Sequence, residues 1–149
     1  MIDYRYHALS LAAVLFTLPT ALDTALQREA RITHFEYVVL ATLAEAPRRT
    51  RRMSDLATLT SGSLSRLSHV VKRLERRGWI RRAQCTEDGR YTNAILTEEG
   101  HAKAVASAAG YARAVRALVI DALSPAQIEQ LREIGDAIRG RISVTGTAG

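Results

Sequence analysis

The run SLSRLSHVVKRLERRGWIRR, residues 63–82, decides the fold. Leu64, Leu67, Val71 and Leu74 recur at i, i+3, i+7 and i+10, the spacing of one buried stripe on a helix expected over Ser63–Arg77. Ser65, Arg66, Ser68, His69, Lys72, Arg73 and Arg76 fall off that stripe, so the helix has an apolar side and a basic side. Gly78 stands where a helix closes through a left-handed residue, and Trp79-Ile80 open a strand. Upstream, Ser54 is placed to cap a short helix with Leu56, Ala57 and Leu59 facing inward, and Thr60-Ser61-Gly62 make the turn between the two helices. Downstream, Trp79–Gln84 and Tyr91–Leu96 read as a hairpin with Asp88-Gly89 at its tip. The order is a helix-turn-helix followed by a short wing.

Charge is concentrated in the same place. Arg48 to Arg90 holds twelve Lys/Arg against Asp55, Glu75, Glu87 and Asp88, whereas the rest of the chain carries nine bases and eleven acids within a total of +6. A polyanion is therefore addressed by one segment. Clustered Lys/Arg gain affinity for duplex nucleic acid by releasing counterions from phosphates, and a folded helix supplies sequence choice.

Working outward, a first helix is expected from Tyr4 to Glu29, with Leu11, Val14, Leu15, Leu18, Leu22 and Leu26 on one broad face and Pro19 kinking or splitting it. The apolar run Ala8 to Leu18 is like the hydrophobic part of a signal peptide, but it follows Asp3 and a single Arg5, continues into Asp23, Gln27 and Arg28, and is too short to span a bilayer. A helix buried in a dimer interface explains the same residues. Thr33 and Glu36 have capping-box spacing for a second helix that ends before Pro47, with Tyr37, Leu40, Ala41 and Ala44 inward. Arg48–Arg52 reads as a basic linker. Thr97 caps a long Ala-rich fifth helix through Val105, Ala109, Ala112, Val115, Leu118 and Val119, and Ser124-Pro125 starts a sixth with Ile128, Leu131, Ile134 and Ile138. After Arg141 the chain is small and polar.

At 149 residues one compact domain with helical appendages is expected, mainly α, with about six helices and a short β-hairpin. Cys85 is alone, which excludes an internal disulfide and a Cys-rich zinc site and fits a reducing cytoplasm. His7, His34, His69 and His101 have no i, i+4 pairing with one another or with acids that would suggest a metal cluster, so no metal or cofactor is expected. Enzyme chemistry finds no phosphate-cradling Gly-rich loop and no nucleophile with its base; Ser65 and His69 at i, i+4 lack an orienting acid.

The chain resembles the MarR family of winged helix-turn-helix transcriptional regulators. The resemblance rests on Tyr37–Leu43, on Leu56–Leu74, on Gly78-Trp79-Ile80, and above all on Asp88-Gly89-Arg90 followed by Leu96-Thr97 and Gly100. It implies a homodimer, with residues 1–30 and 98–142 as dimerisation helices, 31–97 as the DNA-binding lobe and 143–149 as a flexible tail. It departs at Ser68-His69 and Lys72, where the family often has Thr-Arg or Ser-Arg and then an acid. Base preference should differ accordingly.

A helix fits the major groove, and short polar side chains near its N-terminus reach base edges while Arg pairs with guanine or phosphate. Ser63, Ser65, Arg66 and His69 are the base-reading candidates, Ser68 is a further DNA-binding candidate, and Lys72, Arg73 and Arg76 suit flanking phosphates. Ser63 or Ser65 could instead only bond phosphate, and Ser61 could serve as the cap. The resemblance implies that Arg90 enters the minor groove and that Asp88 holds Arg90, or Arg73, in position. It also implies release by a small apolar or phenolic ligand, for which Tyr37 with His7 or Phe16 are the expected lining residues, core or interface packing being the plainer reading of the three. The result would be a sequence-specific repressor on a pseudo-palindromic operator. The rival is a nonspecific or architectural DNA-binding protein. Cys85 at the wing's start is far from the N-terminal position where the family's peroxide sensors usually carry their thiol.

Overall fold

The computed structural model describes residues 1–60 and 62–146, with side chains through residue 143. Residues 1–112 form one compact unit and those from 113 onward a second. In the first unit, α1 (Tyr4–Ala30) starts at Asp3, whose carboxylate accepts the Arg5 N–H at 3.1 Å, and stops at Arg31 in the left-handed region. It continues unbroken through Pro19, so the expected split does not occur. On either side of Pro19, the Thr17 and Thr24 hydroxyls donate to the Ala13 and Thr20 carbonyls. As a whole α1 is the helix, among the described residues, that is long and apolar enough to cross a membrane by length and composition. This corrects the expectation drawn from the shorter run. Its C-terminal half nevertheless buries Leu22 and Leu26, the latter against Ile32 and Tyr37.

The helix α2 (His34–Ala44) carries both bonds of the capping box, Glu36 N–H to Thr33 Oγ1 at 3.0 Å and Thr33 N–H to Glu36 Oε2 at 2.9 Å. Val39 and Leu43 are fully buried beside Leu40, whereas Ala41 and Ala44 are only half-buried. The helix is packed on more than one side, which a single-face reading misses.

The basic linker is instead a 3-10 turn at Pro47–Arg49 and a strand, β1 (Thr50–Arg52). It leads directly into α3 (Met53–Leu59), so Ser54 lies inside the first turn and does not cap, and Leu59 is exposed. Next come α4 (Leu64–Arg76), β2 (Ile80–Gln84), β3 (Thr92–Leu96) and α5 (Glu98–Leu118). The antiparallel sheet has the order β1-β3-β2, with Thr50 opposite Ile95 and Ile80 opposite Leu96. Leu40, Leu43, Leu56, Leu67, Val71, Leu74, Ile80 and Ala94 are almost wholly buried in one core. Each such Leu contributes about 1.5–3 kcal/mol relative to an exposed one. Leu64 is exposed at the helix start, and Val70 joins the buried stripe in its place.

The exit from α4 is fixed by backbone geometry. Gly78 is left-handed with φ 78°, its N–H donates to the Glu75 carbonyl, and the Trp79 N–H donates to the Leu74 carbonyl, the two bonds of a Schellman motif. The Trp79 carbonyl then accepts the Thr97 N–H, the Thr97 hydroxyl donates to the Gly78 carbonyl at 2.6 Å and accepts the Gly100 N–H at 3.0 Å. A Cβ at Gly100 would lie 2.0 Å from the Trp79 carbonyl oxygen. This is why Thr97-x-x-Gly100 has to end in glycine.

In the second unit the chain finishes α5, makes a 3-10 turn at Ile120–Ala122 and forms α6 (Pro125–Gly146), whose start is capped by reciprocal Ser124 and Gln127 bonds. Leu131, Ile134, Ile138 and Ile142 are exposed along α6. The helix runs on into the expected tail; residues 147–149 lie outside the described residues, as does Ser61.

Gly100→Ala should destabilise the protein by about 3 kcal/mol, the upper end of overpacking costs, because the obstacle is backbone and cannot move aside. A denaturant midpoint that falls at unchanged m-value is the expected result.

Candidate nucleic-acid interface

The phase of α4 sorts its polar residues into stripes. Ser65, His69, Lys72 and Arg76 follow i, i+4, i+7, i+11 and are exposed, while Ser68 is half-buried. Arg66, Arg73 and Arg77 follow i, i+7, i+11 on a second stripe, and each reaches something. The Arg66 guanidinium sits 4.5 Å over the Phe35 ring. Arg73 Nε donates to Glu36 Oε1 at 3.2 Å. Arg77 donates to the Arg31 carbonyl at 3.3 Å and lies 3.9 Å over the Trp79 ring. Ser63 is the N-cap, its hydroxyl accepting the Arg66 N–H at 3.1 Å, which ties this side chain to the helix end.

Behind the exposed stripe, Glu75 holds Arg82 of β2 through the Arg82 guanidinium at 2.9 Å and backbone N–H at 3.2 Å. The Arg82 side-chain hydrogen bond keeps the Glu75 carboxyl below its ordinary pKa. With Lys72 and Arg76 this pair lines an open, mainly basic depression.

At the wing tip Asp88 Oδ1 accepts the Arg90 backbone N–H at 3.1 Å, and Asp88 Oδ2 accepts its terminal N–H at 2.7 Å. The sequence left Arg90 and Arg73 open as partners of Asp88. The structure gives Asp88 to Arg90 and Arg73 to Glu36. Arg90 remains 82% exposed along its side chain, so the pair orients the guanidinium without hiding it. Arg52 of β1 lies 4.2 Å over the Tyr91 ring at the base of the wing, a contact that rests on the third strand and was invisible while Arg48–Arg52 read as a linker. Cys85 is a buried free thiol whose pKa is lowered by hydrogen bonds from the Asp88 and then the Glu87 backbone.

A cleft of about 670 Å³ opens between α1, α2 and α4, with Asp23, His34, Phe35, Arg66, His69 and Arg73 among its walls. The residues expected to line a ligand site lie elsewhere in the single chain. His7 and Phe16 are exposed on the first half of α1, and Tyr37 is buried with its ring 4.5 Å from Tyr111. Helix phase is the reason: Phe35 and Val38 turn to the cleft, and Tyr37 turns to α5. His34 stacks on Tyr111 and its amide donates to Asp23 at 2.6 Å; burial lowers the imidazole pKa, offset in part by Asp23.

With this geometry in view, the MarR family sequence model matches residues 32–92. The chain is 40% identical to Sco3205, a MarR family transcriptional regulator from Streptomyces coelicolor crystallised in complex with DNA, over 93% of this chain and 87% of that one, at a TM-score of 0.85. The chain belongs to the MarR family. A second MarR regulator, AbsC from the same organism, is 34% identical over 94% of this chain and 97% of its own, at a TM-score of 0.81. CouR from Rhodococcus jostii RHA1, crystallised with p-coumaroyl-CoA, shares the fold at 20% identity and a TM-score of 0.76, over 89% of this chain and 90% of its own. None of the curated proteins compared with the chain matches it. The mainly helical winged-helix architecture expected from the sequence is the one observed, and the chain is a MarR-type transcriptional regulator.

Hydrogen bonds from Arg90 lower the Asp88 pKa. The contribution of the pair to wing order is complete above the ordinary Asp value of about 3.9 and is lost as pH falls through the depressed value, so it is intact at neutral pH. An NMR titration of Asp88 should give a midpoint below the ordinary value, and Arg90→Ala should raise it; an ordinary midpoint in the unsubstituted protein would mean the pair does not form without DNA.

Proposed function

We propose that the protein is a sequence-specific DNA-binding repressor that works in the cytoplasm as a homodimer on a pseudo-palindromic operator and is released by a small ligand. The carrying observation is the exposed stripe of Ser65, His69, Lys72 and Arg76 on α4 beside the oriented, solvent-facing Arg90. A helix of this phase enters a major groove with short side chains leading and cations flanking, while a guanidinium held by a carboxylate suits a narrow minor groove. The DNA-bound relative at 40% identity supports the same reading. Arg66 and His69 are the base-reading residues, with Ser65 and Ser68 beside them; Lys72 and Arg76 contact phosphate. Ser63 acts through its cap.

Homodimerisation is supported by apolar surface that the single chain leaves uncovered. Tyr4, Tyr6, Leu9, Leu15 and Phe16 are exposed on α1, and Leu131, Ile134, Ile138 and Ile142 on α6. Such faces exceed the scattered apolar exposure normal for a monomer. Residues 1–30 and 98–142 are accordingly the dimerisation helices around the DNA-binding lobe of 31–97. Two recognition helices then meet half-sites one helical turn apart. The ligand reading is supported by the cleft, whose volume lies in the usual range for small-molecule sites, with Phe35 and Val38 in the role expected of Tyr37, His7 and Phe16. The function requires no catalytic group or cofactor.

Sedimentation at micromolar concentration should give a dimer; a monomer alone would leave the apolar faces unexplained. Binding selection on random duplexes should return a two-fold sequence. Arg66→Ala should weaken that site by about 1–3 kcal/mol and random duplex far less, whereas Arg76→Ala should weaken both alike and lower the salt slope. Arg90→Ala should weaken the selected site at unchanged thermal stability. No sequence preference at raised salt would instead identify an architectural DNA-binding protein.

A further inference from the structure

The row Lys72, Arg73, Arg76 reads in the sequence as three phosphate-seeking cations, yet they do not share one environment. We infer that Arg73 is a positioning residue, and that Glu36 sets the number of phosphates the recognition helix neutralises by keeping Arg73 for itself. The inference rests on the DNA-binding reading given above.

Glu36 is well placed to hold a guanidinium. Its side chain is only 6% exposed, its Oε2 accepts the Thr33 N–H at 2.9 Å as part of the capping box, and its Oε1 accepts Arg73 Nε at 3.2 Å. The carboxylate is thereby fixed at the first turn of α2, where it cannot swing away with a mobile side chain. Arg77 comes within 3.9 Å of Oε2 and is itself tied to the Arg31 carbonyl. One buried acid thus joins the last turn of α4 to the corner between α1 and α2.

Arg73 is half-exposed, so the pair is not sealed from solvent, but the carboxylate that accepts its Nε is itself buried and held in place by the capping box. Counterion release counts the phosphates that cations neutralise, and Arg73 would have to leave the Glu36 carboxylate to neutralise one. Lys72 and Arg76 fall on the outward stripe, and Arg73 falls on the stripe that α2 takes.

The inference separates charge from position in one set of titrations on a random-sequence duplex across a salt series. Arg76→Gln should lower the log–log salt slope by about 0.9, the value for one phosphate. Arg73→Gln should weaken binding at every salt concentration while leaving the slope at the wild-type value, because it removes an anchor of the helix and no phosphate contact. Glu36→Gln keeps a capping-box acceptor and releases Arg73, so it should steepen the slope by about 0.9. Glu36→Gln combined with Arg73→Gln should return the slope to wild type. A slope lowered by Arg73→Gln as much as by Arg76→Gln overturns the inference, and so does an unchanged slope in a folded Glu36→Gln. Should Glu36→Gln fail to fold, the Arg73→Gln slope decides alone. If the wild-type protein and Arg76→Gln show no salt-dependent binding, it is the DNA-binding reading that has failed, which this set distinguishes from failure of the assignment to Glu36.

Discussion

Four side chains on one side of α4, Leu67, Val70, Val71 and Leu74, are buried among residues of α2, α3 and the sheet, and they fix the rotation of the helix about its own axis. Turning the helix by a single residue, about 100°, would drive cations into that core and lift leucines into water. The apolar stripe therefore decides which polar side chains any partner can meet. The hydrophobic core and the exposed basic face are two sides of one constraint.

The same logic extends to the wing through backbone hydrogen bonds. The Schellman closure at Gly78 sets where Trp79 leaves α4, the Trp79 carbonyl receives the Thr97 N–H, and the lack of a Cβ at Gly100 lets α5 start against that carbonyl. The helix α4, the sheet and the first turn of α5 are thus assembled at one corner. From there β2 and β3 project the Asp88–Arg90 pair, and β1 adds a third strand with Arg52 stacked on Tyr91. A two-stranded hairpin alone is marginal in water, so the added strand and the cation–π contact help give the wing tip a defined place.

Periodicity and caps carried most of this in the sequence, because they are local. The span of α1, the Thr33–Glu36 box, the left-handed Gly78 and the Ser124-Pro125 start are all set by residues within four or five positions of one another. What stayed hidden is long-range. Residues 50–52 became a strand only because β3 offers an edge some forty positions away. Nothing near Arg73 in sequence announces Glu36, 37 residues earlier. The capping-box spacing announces one Glu36 oxygen, and only the fold shows where the other goes. Tyr37 stands outside the cleft between α1, α2 and α4 for a related reason, since two faces of α2 are packed and the sequence does not say which one is left open.

Arg66 stands where these constraints meet. Its N–H is held by the Ser63 cap, its guanidinium rests on Phe35, and it forms part of the cleft wall while belonging to the basic side of α4. On the proposed reading, an occupant that displaces the Phe35 ring takes away the surface that steadies Arg66, and a base that draws Arg66 toward the groove uncovers the ring. The two events then share one side chain, and linkage requires the effect to be reciprocal: whatever factor a ligand removes from DNA affinity, DNA removes from ligand affinity. Coupling of this kind needs no long pathway through the protein, only two surfaces in contact with opposite faces of a single cation–aromatic pair.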